Sequence, residues 1–314
     1  MARRLRDSVV VITGASSGIG RATALRFASK GATVVLNART ESELRELASA
    51  CERLGSRPLV LPADVTDEAA MKDLAQLAAG AFRRIDVWVN NAAVSLFSLF
   101  EESPPEAFRQ VIETNLFGYV HGARAALPYF HQQGGGVLIN VSSVFGTMGA
   151  PYLSAYVTSK YAIRGLSECL RQESRDSNIR VVTILPASIE PPVLSQAAHA
   201  TDRALPPLEP LYPADRVARA IVRSAVRPKR EVYVGSTRRR RQFLRPLTLP
   251  VRAPLSPARP SPAPGNLLAP VPPVVASGRW RDATYVRKGL LLGLLAVPVL
   301  LGWRWLAQGR GLFF

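Results

Sequence analysis

The chain has 314 residues with 40 Lys and Arg, 23 Asp and Glu, and a formal net charge of +17. This length permits one α/β domain of about 230–250 residues and a further segment. Residues 238–314 contain 13 of the basic residues and only one acidic residue, Asp282, so the basic excess belongs mainly to this tail. Two cysteines, Cys51 and Cys169, fall within helical patterns, which excludes a disulfide scaffold and fits a reducing compartment. The apolar run after the basic Met1–Arg6 is too short for a cleavable signal.

Strands and helices are predicted to alternate along the first 235 residues, as a doubly wound parallel sheet requires. The predicted strands are Ser8–Thr13, Thr33–Asn37, Pro58–Pro62, Asp86–Val89, Val137–Val141, Ile179–Leu185 and Glu231–Val234. The predicted helices are Gly18–Lys30, Glu41–Leu54, Asp67–Arg83, Pro105–Phe130, one that carries Tyr156 and Lys160, and one that begins at Pro213. This pattern predicts a Rossmann-type α/β fold with a mainly parallel, seven-stranded sheet.

A glycine-rich turn, Thr13–Gly20, joins the first predicted strand to the first predicted helix. Glycines let the backbone approach a phosphate, and free amides at a helix N-terminus stabilise its charge. The turn therefore predicts an anion site that can hold phosphates. The residues predicted to hold them are Gly14, Ser16, Ser17, Gly18, Ile19 and Gly20.

A phenol and an ammonium are predicted to share one helix face, because Tyr156 and Lys160 are four residues apart. A nearby positive charge lowers the pKa of a phenol from its usual value of ~10, which suits acid–base chemistry. The pair alone is also typical of a solvated helix face. It gains weight from the glycine turn and from Ile139–Val144, a strand that ends in the hydroxyls of Ser142 and Ser143.

These motifs together resemble the short-chain dehydrogenase/reductase family, whose pattern combines TGxxxGxG, a serine and YxxxK. Ser143 lies thirteen residues before Tyr156, as in that family. Two further segments match the pattern in order: Asn90-Asn91-Ala92-Ala93, and Asn115 within Glu113–Gly118. The resemblance covers about the first 235 residues. It implies hydride transfer between C4 of a nicotinamide and a carbonyl or carbinol carbon.

The resemblance also implies a role for each catalytic residue. Tyr156 would pass a proton to or from the substrate oxygen, and Ser143 would hydrogen-bond that oxygen and stabilise developing negative charge. Lys160 would lower the pKa of the tyrosine and bind nicotinamide ribose hydroxyls. Asn115 would support a water that extends a proton relay from the lysine. Ser142 lacks the required spacing to the tyrosine.

The end of the second predicted strand predicts NADP(H) as the cofactor. In related folds an acid at this point binds the ribose 2′-hydroxyl, whereas an arginine accommodates a 2′-phosphate. This chain has Ala38 and Arg39 there. Further cofactor contacts implied by the resemblance are Asp64 and Val65 at the adenine, and Asn91, Ala92, Tyr156, Lys160, Pro186 and Ile189. No metal site is predicted.

The segment after the sixth predicted strand departs from the family pattern. Pro186-Ala187 replaces the usual Pro-Gly, and Pro191 stands where a threonine often contacts the cofactor amide, so the backbone at Ser188 and Ile189 would have to serve. Residues 191–212 are apolar and rich in proline, which predicts a substrate-covering segment and a lipophilic carbonyl or alcohol substrate. His199 in this segment is predicted to be solvated. The family resemblance implies a homo-oligomer.

The tail predicts two further segments beyond a catalytic domain of residues 1–236. Residues 237–288 form a basic, proline-rich linker that opens with Arg238–Arg241. Residues 289–307 form a candidate transmembrane or membrane-associated helix: Gly289–Trp303 is uncharged, and the run reaches Ala307 if Arg304 snorkels. A membrane anchor would leave the catalytic domain on the cytoplasmic side. The alternative is an amphipathic or buried helix that covers the active site or an oligomer interface.

Three function classes fit these observations. An NADP(H)-dependent oxidoreductase is favoured by the complete set of Asn, Ser, Tyr and Lys. A non-catalytic dinucleotide-binding regulatory or scaffold protein would keep the fold without turnover. Nucleic-acid binding by the arginine run is disfavoured because no recognition motif surrounds it, and an anionic membrane surface fits better.

Overall fold

The computed structural model describes residues 5–190, 198–199, 210–235 and 267. In chain order the strands are β1 (Val9–Thr13), β2 (Thr33–Ala38), β3 (Leu59–Pro62), β4 (Val87–Asn90), β5 (Leu96–Phe97), β6 (Gly136–Val141), β7 (Ile179–Pro186), β8 (Ile189–Glu190), β9 (Ala198–His199), β10 (Tyr212–Pro213) and β11 (Glu231–Val234). The α-helices are α1 (Gly18–Ala28), α2 (Glu41–Arg53), α3 (Glu68–Phe82), α4 (Pro105–Ile112), α5 (Gly118–Gln132), α6 (Ser154–Glu173) and α7 (Ala214–Val226).

Seven of the strands form one parallel sheet in the order β11-β7-β6-β4-β1-β2-β3. The chain starts in the middle at β1, moves outward to β3, returns to β4 and then moves outward in the other direction. The strand order therefore reverses between β1 and β4, and open α/β sheets bind ligands at the carboxyl edge of such a point. The predicted Rossmann-type architecture is confirmed.

Helices cover both faces of the sheet because alternate strand residues point to opposite sides. On one face the core includes residues of α1, α2 and α7, among them Phe27, Leu44 and Ile221. On the other face it includes residues of α3 and α5, among them Leu74 and Ala126. Each large side chain buried in this way contributes about 1.5–3 kcal/mol, so the sheet is a firm support for groups at its edge.

The helix predicted over Pro105–Phe130 is observed as an unbroken helical stretch from Pro105 to Gln132, but a change of helix type within it was not predicted. A π-helical turn at Glu113–Phe117 separates α4 from α5. Such turns occur often at functional sites, because the extra residue redirects a side chain. The turn contains Asn115, whose amide needs polar partners outside the helix.

Two small parallel ribbons lie outside the main sheet and were not predicted. One pairs β8 with β10, and the other pairs β5 with β9, so that Leu96 is beside Ala198 and Phe97 beside His199. His199 thus belongs to a short strand rather than to a plain loop. Most of the predicted substrate-covering segment lies outside the described residues.

Leu267 is the one residue of the tail that the structure describes, and it is buried, with 3% of its surface exposed. It packs with Val94, Leu96, Val111, Ala155 and Ala198 in a cluster bounded by the β5–β9 ribbon, α4 and α6. No described helix is long and apolar enough to cross a membrane. The candidate helix at residues 289–307 and the arginine run at 238–241 lie outside the described residues.

Candidate active site

The glycine turn after β1 folds so tightly that side chains are excluded from it. A Cβ added to Gly14, whose φ is +62°, would lie 2.7 Å from the Cα of Ala92, and one added to Gly20 would lie 2.0 Å from the carbonyl oxygen of Gly14. Both positions therefore require glycine. The turn is thereby packed directly against the segment that follows β4.

Asn91 fixes this contact between the two segments. Its side-chain amide donates to the carbonyl oxygens of Thr13 and Gly14, at 3.1 and 3.0 Å. In return the hydroxyl of Thr13 accepts from the backbone amides of Asn91 and Ala92. Asn91 therefore holds the shape of the glycine turn.

The start of α1 fits the phosphates of a dinucleotide. Gly18 has φ +50°, and a Cβ there would meet no atom within 4 Å, so the backbone faces open space. The side chain of Ser17, the N-cap residue, makes no capping hydrogen bond. Ile19 packs its side chain against the core and offers only its backbone amide. The amides of this first turn, together with the hydroxyls of Ser16 and Ser17, can therefore hold an anion.

The carboxyl end of β2 carries no carboxylate. Ala38 ends the strand and is buried, and the partly exposed Arg39 follows it. The next acidic residue, Glu41, lies in the first turn of α2 and forms an ion pair with Arg45. An adenosine ribose at this end of the strand would meet a guanidinium rather than an acid.

The segment after β3 is also shaped by close contacts. The carboxylate of Asp64 accepts hydrogen bonds from the backbone amide and hydroxyl of Thr66, each 2.9 Å. Val65 is buried against Gly118 at the start of α5, where an added Cβ would lie 2.6 Å from the valine side chain. These contacts leave Asp64 half-buried at the same carboxyl edge as the glycine turn.

Ser143, Tyr156 and Lys160 come together where β6 ends against the first turns of α6. The Ser143 side chain hydrogen-bonds Tyr156. The ammonium nitrogen of Lys160 lies 5.3 Å from the centre of the Tyr156 ring and donates to the carbonyl oxygen of Val141, at 3.1 Å. All three predicted catalytic residues are buried: at most 7% of each is exposed.

Burial shifts the pKa values of this pair in opposite directions. It raises the pKa of Tyr156 to about 12, although the hydrogen bond from Ser143 acts to lower it. It lowers the pKa of Lys160 to about 7. The predicted lowering of the tyrosine pKa by the lysine is not seen among the protein groups alone, because burial has the largest effect on the pKa of Tyr156.

Asn115 connects the π-helical turn to α6. Its side-chain oxygen accepts from the backbone amide of Val94, at 2.8 Å, and its nitrogen donates to the carbonyl of Val94 and to the hydroxyl of Ser159. That hydroxyl donates in turn to the carbonyl oxygen of Tyr156, at 2.7 Å. Asn115 therefore reaches the catalytic helix one residue from Lys160.

Four other residues considered in the sequence analysis are Ser142, Pro186, Ser188 and Ile189. Ser142 donates to the carbonyl oxygen of Lys160, at 2.9 Å, which explains a hydroxyl next to Ser143 without any catalytic role. Pro186 is the last residue of β7 and is buried. Ile189 begins β8 and is half-buried, and its neighbour Ser188 accepts from the amide of Tyr212.

Two residues near the site escaped the sequence analysis. Tyr119, on α5, donates from its hydroxyl to the carbonyl oxygen of Val141, which also accepts from Lys160, and its ring centre lies 5.4 Å from the lysine nitrogen. Ser95 is buried, and its hydroxyl has no hydrogen-bond partner within the described part of the chain. Helical spacing from Asn115 places Tyr119 on the same face and could have found it; no pattern marks Ser95.

Comparison with known proteins gives a consistent result. Residues 8–202 match the family described as short chain dehydrogenase. An uncharacterized oxidoreductase of Bacillus subtilis, YxnA, is 39% identical over 238 residues, which cover 74% of this chain and 67% of that protein. The 3-oxoacyl-[acyl-carrier-protein] reductase FabG of Thermotoga maritima is 35% identical over 224 residues, which cover 70% of this chain and 90% of that protein.

A solved structure shares the fold. It is a short-chain dehydrogenase/reductase from Burkholderia phymatum in complex with NAD, with a TM-score of 0.65 and 24% sequence identity. The match covers 74% of this chain and 90% of that chain.

Proposed function

Because the chain belongs to the short-chain dehydrogenase family of hydride-transfer oxidoreductases, we propose that it is an NADP(H)-dependent enzyme that interconverts a lipophilic carbonyl compound and its alcohol. The observation that carries this proposal is the cluster of Ser143, Tyr156 and Lys160, buried at the same carboxyl edge of the sheet as the glycine turn. When bound, the nicotinamide supplies the hydride donor or acceptor.

In this proposal the side chains of the protein manage the substrate oxygen and its proton. Ser143 donates a hydrogen bond to the oxygen and stabilises the negative charge that develops on it. Tyr156 gives a proton to that oxygen during reduction and takes it back during oxidation. Lys160, whose nitrogen lies 5.3 Å from the centre of the tyrosine ring, stabilises the phenolate form when it is protonated, and Asn115 with Ser159 fixes the helix turn between them.

The residues at the end of β2 support NADP(H) over NAD(H). Ala38 and Arg39 occupy the positions at which an acid would bind the ribose 2′-hydroxyl, and Glu41 is already paired with Arg45. An arginine can form charge-assisted hydrogen bonds with a 2′-phosphate. The predicted adenine contacts, Asp64 and Val65, follow the neighbouring strand β3.

An apolar group of side chains around the tyrosine supports a lipophilic substrate. Tyr156 forms a cluster with the buried residues Phe97 and Leu153, against which Phe145 and Tyr152 also pack. The ring centres of Phe97 and Tyr152 are 5.0 Å apart. The Thermotoga relative is named as a reductase of a 3-oxoacyl group, which is a ketone attached to an acyl chain.

A homo-oligomer remains part of the proposal. Two large aromatic side chains, Phe117 and Tyr161, are each 44% exposed on neighbouring helical segments, and such surface is often covered by a partner. The membrane helix at residues 289–307, with a catalytic domain on the cytoplasmic side, is also still a prediction from the sequence.

Cofactor choice is tested by fluorescence titration with NADPH and NADH. Arg39→Ala should weaken NADPH binding by about tenfold to a hundredfold, the value of a hydrogen bond to a charged group, and leave NADH binding unchanged. Arg53→Ala, an exposed arginine at the end of α2, is the matched control. Tighter binding of NADH than of NADPH would refute the NADP assignment.

Turnover is tested on a series of lipophilic ketones and alcohols with the same preparation. We expect NADPH-linked reduction that increases with the apolar area of the substrate. The wild-type protein could instead bind NADPH but turn over none of these compounds, so that it is no more active than Tyr156→Phe. This result would favour the scaffold alternative.

A further inference from the structure

A second polar region of the described chain is a cleft between α1 and α7, away from the catalytic cluster. It has a volume of about 320 Å³ and is lined by Leu5, Arg26, Arg219, Val222, Arg223, Val226 and Arg227. Four of these seven residues are arginines, and the other three are apolar. The catalytic function proposed above uses none of them.

The charges in the cleft do not cancel. Asp215, at the start of α7, accepts hydrogen bonds from both Arg26 and Arg219. Neither Arg223 nor Arg227 has a side-chain hydrogen bond or ion pair with any residue in the described ranges. The cleft is thus lined by four guanidinium groups, and Asp215 is the carboxylate that binds two of them. This leaves three positive charges in excess.

The three arginines of α7 and its C-terminus form a stripe. Arg219, Arg223 and Arg227 are four residues apart and all exposed, so they lie on one face of the helix. Beneath them Val222 is buried and Val226 is half-buried. Arginines above apolar residues suit a binding surface that is charged on the outside and apolar beneath. Their aliphatic carbons cover the apolar area while their guanidinium groups stay in the polar layer.

The cleft extends along α7, from Arg219 near the middle of the helix to Arg227 at its end. α7 has 13 residues and is therefore about 20 Å long. It starts at the carboxyl edge of the sheet and runs to the amino edge, where Leu5 and Arg227 lie. Two more exposed basic residues, Arg6 and Lys30, and one exposed acid, Asp7, are at this end of α1, and the backbone amide of Asp7 donates to the carbonyl of Gly31 there.

We infer that this basic cleft is a docking surface for a membrane that contains anionic phospholipids. Complementary charge favours this occupant, because the cleft is basic; the tail is basic too, with 13 Lys and Arg against one acid, so like charge disfavours both the tail and a second copy of the cleft. A nucleic acid is disfavoured because the cleft has no aromatic residue for a base to stack on.

The inference stands whether or not the tail contains a membrane helix, because it depends on charges of the folded domain. The two contacts would act together if both exist. A domain held by its tail alone could rotate, whereas a second contact on α7 would fix which face of the domain meets the lipid.

The test measures binding of the full chain to vesicles of phosphatidylcholine with and without phosphatidylglycerol. The variant Arg223→Gln/Arg227→Gln removes two charges from the cleft. The control variant Arg53→Gln/Arg57→Gln removes two exposed arginines, also four residues apart, on another part of the surface. All proteins keep the tail unchanged.

We expect the cleft variant to bind the anionic vesicles about thirtyfold more weakly, since each arginine near such a surface contributes about 1 kcal/mol. The control should lose less than about twofold, and added salt should reduce the difference. Equal vesicle binding by the two variants overturns the inference. This holds even if the cleft variant loses binding to an acidic protein, to DNA or to a second copy of the chain. Equal free energies of unfolding of the two variants in urea show that both are folded, and this control does not depend on the catalytic proposal.

Discussion

Two buried polar clusters lie side by side on the sheet of this protein, and they use nearly the same kinds of side chain. The first joins Trp88, Asn90, Asn140 and Ser167 through hydrogen bonds of 2.8–2.9 Å. Asn90 also donates to the carbonyl of Tyr119, and Ser167 to that of Ile163. This cluster, which we call the asparagine cluster, uses its amide donors and acceptors within the protein.

The predicted catalytic cluster of Asn115, Ser143, Tyr156 and Lys160 is equally buried, but its lysine is less satisfied. Lys160 has three N–H donors and makes one hydrogen bond to a described residue. Saturation by the protein makes a polar cluster rigid, whereas spare donors leave it able to bind something else. The two clusters contain similar residue types, so the types do not tell them apart. The number of unused hydrogen-bond donors does, because it distinguishes a structural cluster from one that can bind a ligand.

The largest expected effect is on catalysis. Tyr156→Phe removes the proton donor and should lower kcat/KM by about 10²–10⁴. The free energy of unfolding should stay within about 0.5 kcal/mol of the wild-type value, because a partly unpaired hydroxyl stabilises the fold little. Steady-state kinetics and urea unfolding measure the two quantities. A variant that keeps most of its activity would remove Tyr156 from the mechanism.

The matching change in the asparagine cluster should affect stability instead. Asn140→Leu removes one of the two acceptors of the buried Asn90 amide and the donor to Ser167, so the free energy of unfolding should fall by about 1–3 kcal/mol. The folded fraction should keep its NADPH affinity and its KM. A loss of kcat as large as that of Tyr156→Phe, with normal stability, would show that the two clusters are not functionally distinct.

The lysine predicts a pH dependence of stability in the absence of nucleotide. Its pKa is about 7 in the folded protein, below its value in an unfolded chain, so the unfolded state binds more protons between these values and stability should rise with pH above about 7. Lys160→Met should remove this rise, by up to about 1.4 kcal/mol per pH unit. Urea unfolding of both proteins from neutral to alkaline pH measures it, and parallel curves would contradict the shifted pKa.

The smallest effect should come from the hydroxyl between Asn115 and Tyr156. Ser159→Ala removes both of its hydrogen bonds and should cost about 1 kcal/mol of stability. We expect kcat to fall by less than about tenfold with no change in NADPH affinity, because the residue only positions the helix turn. Ser159→Thr, which keeps the hydroxyl, should restore part of the loss; a fall as large as that of Tyr156→Phe would make it a direct participant.

The sequence predicted most of the fold because its signals are local. Apolar runs followed by glycines or helical patterns placed the seven main strands within one or two residues of their observed bounds, as for Glu231–Val234. It did not predict the π-helical turn at Glu113–Phe117, since a single extra residue hardly changes the apolar periodicity of a long helix. Short ribbons such as β5–β9 depend on contacts between distant segments, which periodicity does not report.

The candidate site was predictable where a motif names the residue, and less so where burial decides its properties. The motif identified Tyr156 and Lys160, but not that desolvation would raise one pKa and lower the other. Asn90 was not selected as a site residue, and its role in the asparagine cluster depends on a partner fifty residues away. Leu267 had no signal, because a leucine in a proline-rich tail is unremarkable until its neighbours are known.

Leu267 also sets a minimum length for the working enzyme. A chain truncated after Gly235 would keep each of the predicted catalytic and cofactor-binding residues, yet would lose a leucine that fills the space between Val94, Val111 and Ala155. Removing a buried leucine side chain costs about 2–5 kcal/mol, and here the vacancy would open one residue from Tyr156. A fragment chosen by its motifs alone would therefore be expected to unfold more easily at the helix that carries Tyr156 and Lys160.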